Sequence, residues 1–370
     1  MGTAEDGAPR APLHDDPLWP RAGGWPPPGG SRAALALLGV PTWRTSLSPT
    51  GAHATPAAVR DALRRYSPAL MPDAGADARR GPGGAAGHGG RGVVDLGLLP
   101  VVDAGDVADP DGAAGEARTR AAVEAALAAA ERLIAVGGDN SLTVPVALGA
   151  WAAWTAGVGS QGAVPAGDRA TASAAPGDDR APASTAGQDD RAAASTAGLI
   201  TIDAHFDLRD GVSNGSPVRR LLEAGLDGRR VVQIGIQDFA NSAEYAARAA
   251  DAGITVVHRD ALHRRPPADV MAEALEIAGA AGGPVHLDID VDACDRSVAP
   301  GCPASVPGGL AAWELRALVR AAAADRRVRS ADIAEVDAMA DAPDGRTVRL
   351  AALCVLEFAA GIAGIAGIAD

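Results

Sequence analysis

The sequence predicts an α/β fold built on a mostly parallel sheet. Short apolar runs alternate with helix-forming segments along most of the chain. The runs lack the in–out alternation of a half-solvated sheet, so they read as strands covered on both faces. Several of them end in acidic or glycine-rich residues, where a parallel sheet presents the carboxyl ends of its strands to a ligand.

Residues 1–32 are rich in Pro, Gly and charge, show no periodicity and are expected to be disordered. A first strand is expected at Ala34–Val40, closed by Pro41. Thr55-Pro56 opens a helix to about Tyr66, with the proline in its tolerated first turn. Residues 72–92 are a Gly-rich loop. Val93–Leu96 is expected as the second strand, Glu116–Ala130 as an Ala-rich helix and Leu133–Val136 as the third strand. A helix with Trp151 and Trp154 follows Thr143. Residues 156–197 then lose all apolar periodicity and hold an imperfect repeat, GDDRAPASTAG followed by QDDRAAASTAG. They are expected to be a disordered insertion. Strands resume at Leu199–Ile202, Val231–Ile236, Thr255–His258, Val285–Ile289 and Val328–Ile333. Helices are expected at Ser242–Ala252, Ala268–Ala278, Ala311–Ala324 and from about Thr347. One domain over 33–370, interrupted by the insertion, accounts for the length.

Composition removes several functions. The chain carries 33 basic and 46 acidic side chains, a net charge of −13, which argues against nucleic-acid binding. Every basic side chain is Arg, so Schiff-base and Walker-A lysine chemistry are excluded. Aromatics at 3% argue against a base-stacking platform. Cys294, Cys302 and Cys354 form no CxxC pair and read as small buried thiols. The N-terminus lacks the basic and apolar regions of a secretory signal, and no uninterrupted apolar run of about 18 residues occurs. A cytoplasmic protein without membrane partners is expected.

The chemistry lies behind two strands. Asp203-Ala204-His205-Phe206-Asp207 follows Leu199–Ile202, and Asp290-Val291-Asp292 closes Val285–Ile289. Alternate residues of an extended segment share a side, so each cluster can aim its acids at one point. Four carboxylates with one imidazole suit a hard to intermediate divalent cation, Mn²⁺ above all. Without a cation they would repel one another. Any one Asp after a strand is equally an N-cap or turn residue; it is the pair of clusters that favours a metal.

Gly137-Gly138-Asp139-Asn140-Ser141, Asp203–Asp207, and Asp290-Val291-Asp292 with Ala299-Pro300-Gly301 resemble the three signature blocks of the ureohydrolase (arginase/agmatinase) superfamily: GGDHS, DAHxD and DxDxxDPxxxPG. GAHATPAAVR at 51–60 and Pro307–Leu310 are similar to further blocks. Asp203–Arg209, Gly215–Arg219 and Gly235–Ser242 look most like formimidoylglutamases. The resemblance implies an arginase-type three-layer α/β/α sandwich with a mostly parallel eight-stranded sheet, and assembly as a trimer or hexamer. It implies two Mn²⁺ ions, the first held by Asn140, Asp203, Asp207 and Asp290, the second by Asp203, His205, Asp290 and Asp292. A hydroxide between them attacks the substrate's amidine carbon, with Asp207 or Asp292 orienting it or passing its proton. Glu335 matches the family Glu that pairs with the cationic head group. Arg209, Asn214 and Arg219 are the remaining candidate substrate contacts, the two arginines as forks for carboxylates from a loop.

The implied substrate is N-formimidoyl-L-glutamate, giving L-glutamate and formamide in histidine breakdown. A guanidine hydrolase releasing urea (agmatinase- or guanidinobutyrase-like) is the alternative on the same fold. Asn140 stands where the family has His. It is either a weak amide ligand or a hydrogen-bond partner of a bound water, and a weakened first site or a non-catalytic, single-metal relative follows from it. Asn214 stands near where arginases carry a shuttle His, which weighs against an arginase. Two DxD frames overlap at Asp288–Asp292; spacing to Pro300 selects Asp290 and Asp292 and leaves Asp288 as a buried, hydrogen-bonded strand residue.

Overall fold

The computed structural model describes residues 16–25, 32–71, 93–162 and 186–366. Its sheet has eight strands: β1 (Ala33–Val40), β2 (Val101–Asp106), β3 (Ala130–Gly137), β4 (Gly198–Ile202), β5 (Val231–Ile236), β6 (Thr255–His258), β7 (Val285–Asp290) and β8 (Val328–Ala334). The spatial order is β2-β1-β3-β8-β7-β4-β5-β6, and every pairing is parallel. Nine helices are described: α1 (Thr55–Leu63), α2 (Gly112–Ala129), α3 (Thr143–Gly162), α4 (Ala186–Ala194), α5 (Pro217–Glu223), α6 (Ala243–Asp251), α7 (Pro267–Ala278), α8 (Ala312–Ala323) and α9 (Arg346–Ala366).

Side-chain alternation sorts the helices into two outer layers. On β3, Ile134 and Val136 pack with α1, α7, α8 and α9, while Leu133 and Ala135 face α2 and α3. Helices α4, α5 and α6 complete the second layer with part of α3. Both faces of the central strands are thus dry, and each buried Leu or Ile contributes about 1.5–3 kcal/mol. Helix α9 is long and apolar enough to cross a membrane by length and composition, but most of its apolar stretch is buried within this fold.

Three expectations change. Val94–Asp95 is not a strand of the main sheet; it pairs antiparallel with Ala69–Leu70. The strand beside β1 is β2, whose last four residues are exposed. An edge strand with one solvated half reads as polar, which hid it. The 156–197 segment is ordered at both ends. Helix α3 runs to Gly162, and the second repeat copy folds as α4, with Ala193, Ala194 and Ala197 buried and Asp190 paired to Arg120 at 2.7 Å. Within 1–32, Ala22 is buried and its N–H donates to the Tyr66 carbonyl at 2.9 Å. The loop at 72–92, residues 163–185 of the insertion, and residues 1–15 and 26–31 lie outside the described residues. The three thiols are free and buried.

Candidate metal centre

The four central strands β3, β8, β7 and β4 each end in part of one site. After β3 the chain turns through Gly138, where a Cβ would stand 1.9 Å from the Thr42 carbonyl oxygen, so no larger residue fits. The Asp139 N–H donates to that oxygen at 2.9 Å, and the Glu335 N–H donates to the Gly138 carbonyl at 2.8 Å. The tight turn therefore joins the ends of β3 and β8 and delivers Asn140 beside Glu335.

Behind β4 and β7 the same local device appears twice. Asp203 Oδ1 accepts the His205 N–H at 2.7 Å, and Asp290 Oδ1 accepts the Asp292 N–H at 2.8 Å. Each Asp thus caps its own turn with one oxygen and keeps the other for the site, so the capping and ligand roles coexist. Asp207 and Glu335 adopt left-handed backbone conformations, with φ of 52° and 61°. Such conformations cost about 1–3 kcal/mol each and cluster at functional sites.

The ligand atoms form two groups that share Asp203. Asp203, His205 and Asp292 each place one within 4.8 Å of the others, and Asp203, Asp207 and Asp290 do the same. In the first group His205 Nδ1 lies 3.1 Å from Asp292 Oδ2 and 3.4 Å from Asp203 Oδ1. Asp203 Oδ2 and Asp292 Oδ1 are buried and have no hydrogen-bond partner. Buried carboxylate oxygens without donors are costly, and a divalent cation at each group satisfies them. The donor set of acids plus one imidazole therefore fits two Mn²⁺-like ions.

The electrostatics agree. Burial and neighbouring acids push Asp207 and Asp290 well above the usual carboxylate range, and burial with Asp292 nearby pushes Asp203 up to about 6. Burial alone would raise Asp292, but the adjacent His205 holds it below its ordinary value. Asp292 in turn drives the His205 imidazolium up to about 12. Burial, then Asp292, raises Glu335 to about 8. A cation in each group would reverse these shifts and displace the His205 proton.

Asn140 enters as a donor. Its Nδ2 gives hydrogen bonds to Asp207 Oδ2 at 2.8 Å and Asp290 Oδ2 at 3.3 Å, and its N–H donates to Glu335 Oε1 at 2.8 Å. Asp288 is buried as expected, but neither of its oxygens meets a donor. It sits opposite Asp332 in the β7–β8 register, and burial together with that neighbour pushes its carboxyl well up.

Above the carboxylates lies a cavity of about 540 Å³ whose walls include His205, Asp207, Arg209, Asn214, Tyr245 and Glu335. Asn214 Nδ2 donates to Glu335 Oε1 at 2.9 Å, while its Oδ1 accepts the Leu47 N–H at 3.0 Å. The Arg209 guanidinium lies 6.0 Å from the Tyr245 ring and has no ion pair among the described residues. Arg219 does not reach the cavity, and it is not on a loop. It belongs to α5, where it donates to the carbonyls of Arg209 and Gly211 and pairs with Glu223. It braces the Arg209 loop, and of the two arginines Arg209 is the one that lines the cavity.

Sequence reasoning passed over three contributors. Tyr245 gives Arg209 a ring to lie over. Asn241 ties the β5–α6 loop to the ligand segment, accepting the Phe206 N–H at 2.9 Å and donating to the Ala204 carbonyl at 2.8 Å. Beneath Asn140, Thr143, Asp332, His286 and Ser330 form a buried polar chain. Its signal was present: polar residues inside two otherwise apolar central strands.

Comparison with known proteins agrees with this geometry. The arginase family model matches residues 33–160 and 177–361. The chain is 32% identical to the formimidoylglutamase of Halobacterium salinarum over 332 residues, 88% of this chain and 87% of that protein. It is 35% identical to the Bacillus subtilis formimidoylglutamase over 169 residues, where the match spans 44% of this chain and about half, 53%, of the relative. The crystal structure of the Bacillus subtilis protein superposes with a TM-score of 0.71 at 24% identity, covering 97% of this chain and 95% of that one. Trypanosoma cruzi formiminoglutamase with Mn²⁺ gives a TM-score of 0.66 at 22% identity, over 90% and 94%. The chain belongs to the arginase family, and its sheet and layers are the arginase fold.

Proposed function

We propose that this chain is a Mn²⁺-dependent hydrolase that cleaves the amidine C–N bond of N-formimidoyl-L-glutamate, consuming one water and releasing L-glutamate and formamide. The observation that carries the proposal is the pair of ligand groups sharing Asp203 on the floor of a cavity whose wall bears Arg209. The formimidoylglutamase relatives support the choice of substrate.

Asp203, Asp207 and Asp290, with Asn140, are suited to hold the first Mn²⁺; Asp203, His205 and Asp292, with Asp290, the second. When bound, the ions would lower the pKa of water and so supply a nucleophile at neutral pH. Asp207 or Asp292 would orient the attacking water or pass its proton to the leaving amine. Glu335 faces the amidine head. Its two hydrogen bonds from Asn140 and Asn214 both fall on Oε1, which leaves Oε2 for a cationic NH₂ group. An amidinium there supplies the charge that a buried carboxylate lacks and returns Glu335 to its ionised form. Arg209 takes a carboxylate of the glutamate tail, an interaction worth about 1.5–3 kcal/mol.

The test is product analysis. Mn²⁺-loaded protein is incubated with N-formimidoyl-L-glutamate, with a chelated control, and separately with 4-guanidinobutyrate and agmatine. Metal-dependent L-glutamate and formamide are expected. Urea from the guanidines with no glutamate would replace this reading by the guanidine hydrolase one.

A further inference from the structure

The buried chain under Asn140 contains more acceptors than the hydroxyl in its middle has protons. Thr143 Oγ1 lies 2.5 Å from Asn140 Oδ1 and 3.3 Å from Asp332 Oδ1. A hydroxyl has one proton, so it serves one of these oxygens. With the Asn140 NH₂ group turned to Asp207 and Asp290, that proton goes to Asn140, and Asp332 Oδ1 goes without it. Asp332 cannot turn to find another donor there, because its Oδ2 is fixed 2.9 Å from His286 Nε2, while His286 Nδ1 is fixed 2.7 Å from Ser330 Oγ. Ser330 donating to Nδ1 and Nε2–H donating to Asp332 use every proton of that branch. Asn140, Thr143, His286, Ser330 and Asp332 are all buried, so bulk water does not enter this chain, and across the strands Asp332 faces the Asp288 carboxyl.

This arrangement suits a site held together by donors, and it is wrong for a cation, which needs the amide oxygen. Turning the Asn140 amide end for end exchanges the two groups in place. The oxygen then faces Asp207 and Asp290, and the NH₂ faces Thr143. Thr143 can accept that bond because its own hydroxyl proton turns to Asp332 Oδ1, an acceptor held in place through its other oxygen. We propose that Thr143 and Asp332 are positioning residues that let the Asn140 amide serve either state: NH₂ toward the carboxylates without metal, oxygen toward the first metal with it. The proposal rests on the two-metal part of the function above, not on the identity of the substrate.

Thr143→Val keeps the shape and removes the hydroxyl. It leaves an Asn140 N–H without an acceptor in the metal-bound orientation, and a buried orphan N–H is tolerated less well than an orphan carbonyl. Asp332→Asn keeps the shape and weakens the acceptor that draws the Thr143 proton. Full-length, metal-depleted protein is titrated with MnCl₂ and followed by electron paramagnetic resonance, which counts free Mn²⁺ and recognises a spin-coupled pair. Wild type is expected to take up two ions with a coupled spectrum. Thr143→Val and Asp332→Asn should retain the tighter ion and bind the other about tenfold more weakly. Thr143→Ser should stay within about twofold of wild type.

A second background separates positioning from mere support of the fold. In Asn140→Asp the side chain has no donor end to turn, so adding Asp332→Asn should leave Mn²⁺ binding unchanged. Thermal unfolding of each metal-free variant reports whether it has folded, and the Asp332→Asn comparison in the two backgrounds decides should Thr143→Val not fold. Wild-type binding of both ions by Thr143→Val and Asp332→Asn would overturn the proposal. So would uptake of one ion only by wild type, or an Asp332→Asn defect that persists in the Asn140→Asp background. Normal two-ion behaviour without glutamate formation would overturn the substrate reading and leave this one standing.

Discussion

The two ligand groups that the fold brings together meet at Asp203 and differ in the character of their other members. One has an imidazole: His205 lies between Asp203 and Asp292, holds Asp292 ionised, and is charged itself while no metal is present. The other has carboxylates and an amide, and its acids Asp207 and Asp290 are both pushed toward their neutral forms. The first group is organised by an ion pair that a metal can replace; the second needs a cation before its acids can ionise together. Sharing one carboxylate therefore does not make two positions equivalent. The order of filling is set by the remaining ligands, and the His205 group is expected to fill first.

Breaking the shared point should have the largest effect. Asp203→Asn removes a ligand from both groups, and Mn²⁺ uptake together with kcat/KM should fall by on the order of 10³-fold or more. Loss confined to one ion in the binding isotherm would contradict the shared role. Next comes Glu335→Gln. It can keep its hydrogen bonds from Asn140 and Asn214 while losing the charge opposite the head group. KM for the amidine should rise about 10–100-fold, with Mn²⁺ stoichiometry unchanged. A fall in metal content instead would make Glu335 part of the centre's support.

Asn140→His sharpens the comparison by giving the weaker group its own imidazole. Affinity for the second-filling ion should increase about tenfold, and calorimetry should show the two binding steps drawing together. Unchanged affinity would mean that position 140 lies outside the ligand set.

The smallest effect is on pH. Asp203 and Glu335 have folded-state pKa values of about 6 and 8, above their unfolded ones. Their contribution to stability is complete below about pH 4 and is lost as pH rises through 6 and then 8. His205, raised to about 12, keeps the same sign and loses its contribution only above its unfolded value of about 6.5. Asp292, lowered, acts oppositely and only at acid pH. The metal-free Tm should therefore drop between pH 5 and 9. The rise in Tm caused by Mn²⁺ should grow over the same range, because the ions bind the deprotonated forms. Scanning calorimetry with and without chelator measures both trends, and a metal-free Tm that climbs from pH 5 to 8 would contradict the buried acids as described.

What the sequence revealed follows the same division. The central strands were legible because burial on both faces leaves an uninterrupted apolar run, as at Val231–Ile236. The edge strand Val101–Asp106 was not, because half of it is solvated. Helix α4 was hidden by its repeat: QDDRAAASTAG looks featureless until Ala193 and Ala194 are seen to be its buried side. At the site, acids at strand ends and the family blocks announced Asp203, His205, Asp207, Asp290 and Asp292. Arg219 looked equivalent to Arg209, since ten residues of spacing do not say which guanidinium a helix will turn back onto a loop. Thr143 and Asp332 are 189 positions apart, and only the folded sheet brings them together beneath Asn140.

The measurement closest to the central claim is a calorimetric Mn²⁺ titration of the wild-type protein beside Asp207→Asn at pH 8. Two unequal binding steps are expected for wild type, and loss of the weaker one alone for the variant. A single class of site in wild type, or loss of the tighter step on changing Asp207, would contradict two unequal positions built around Asp203.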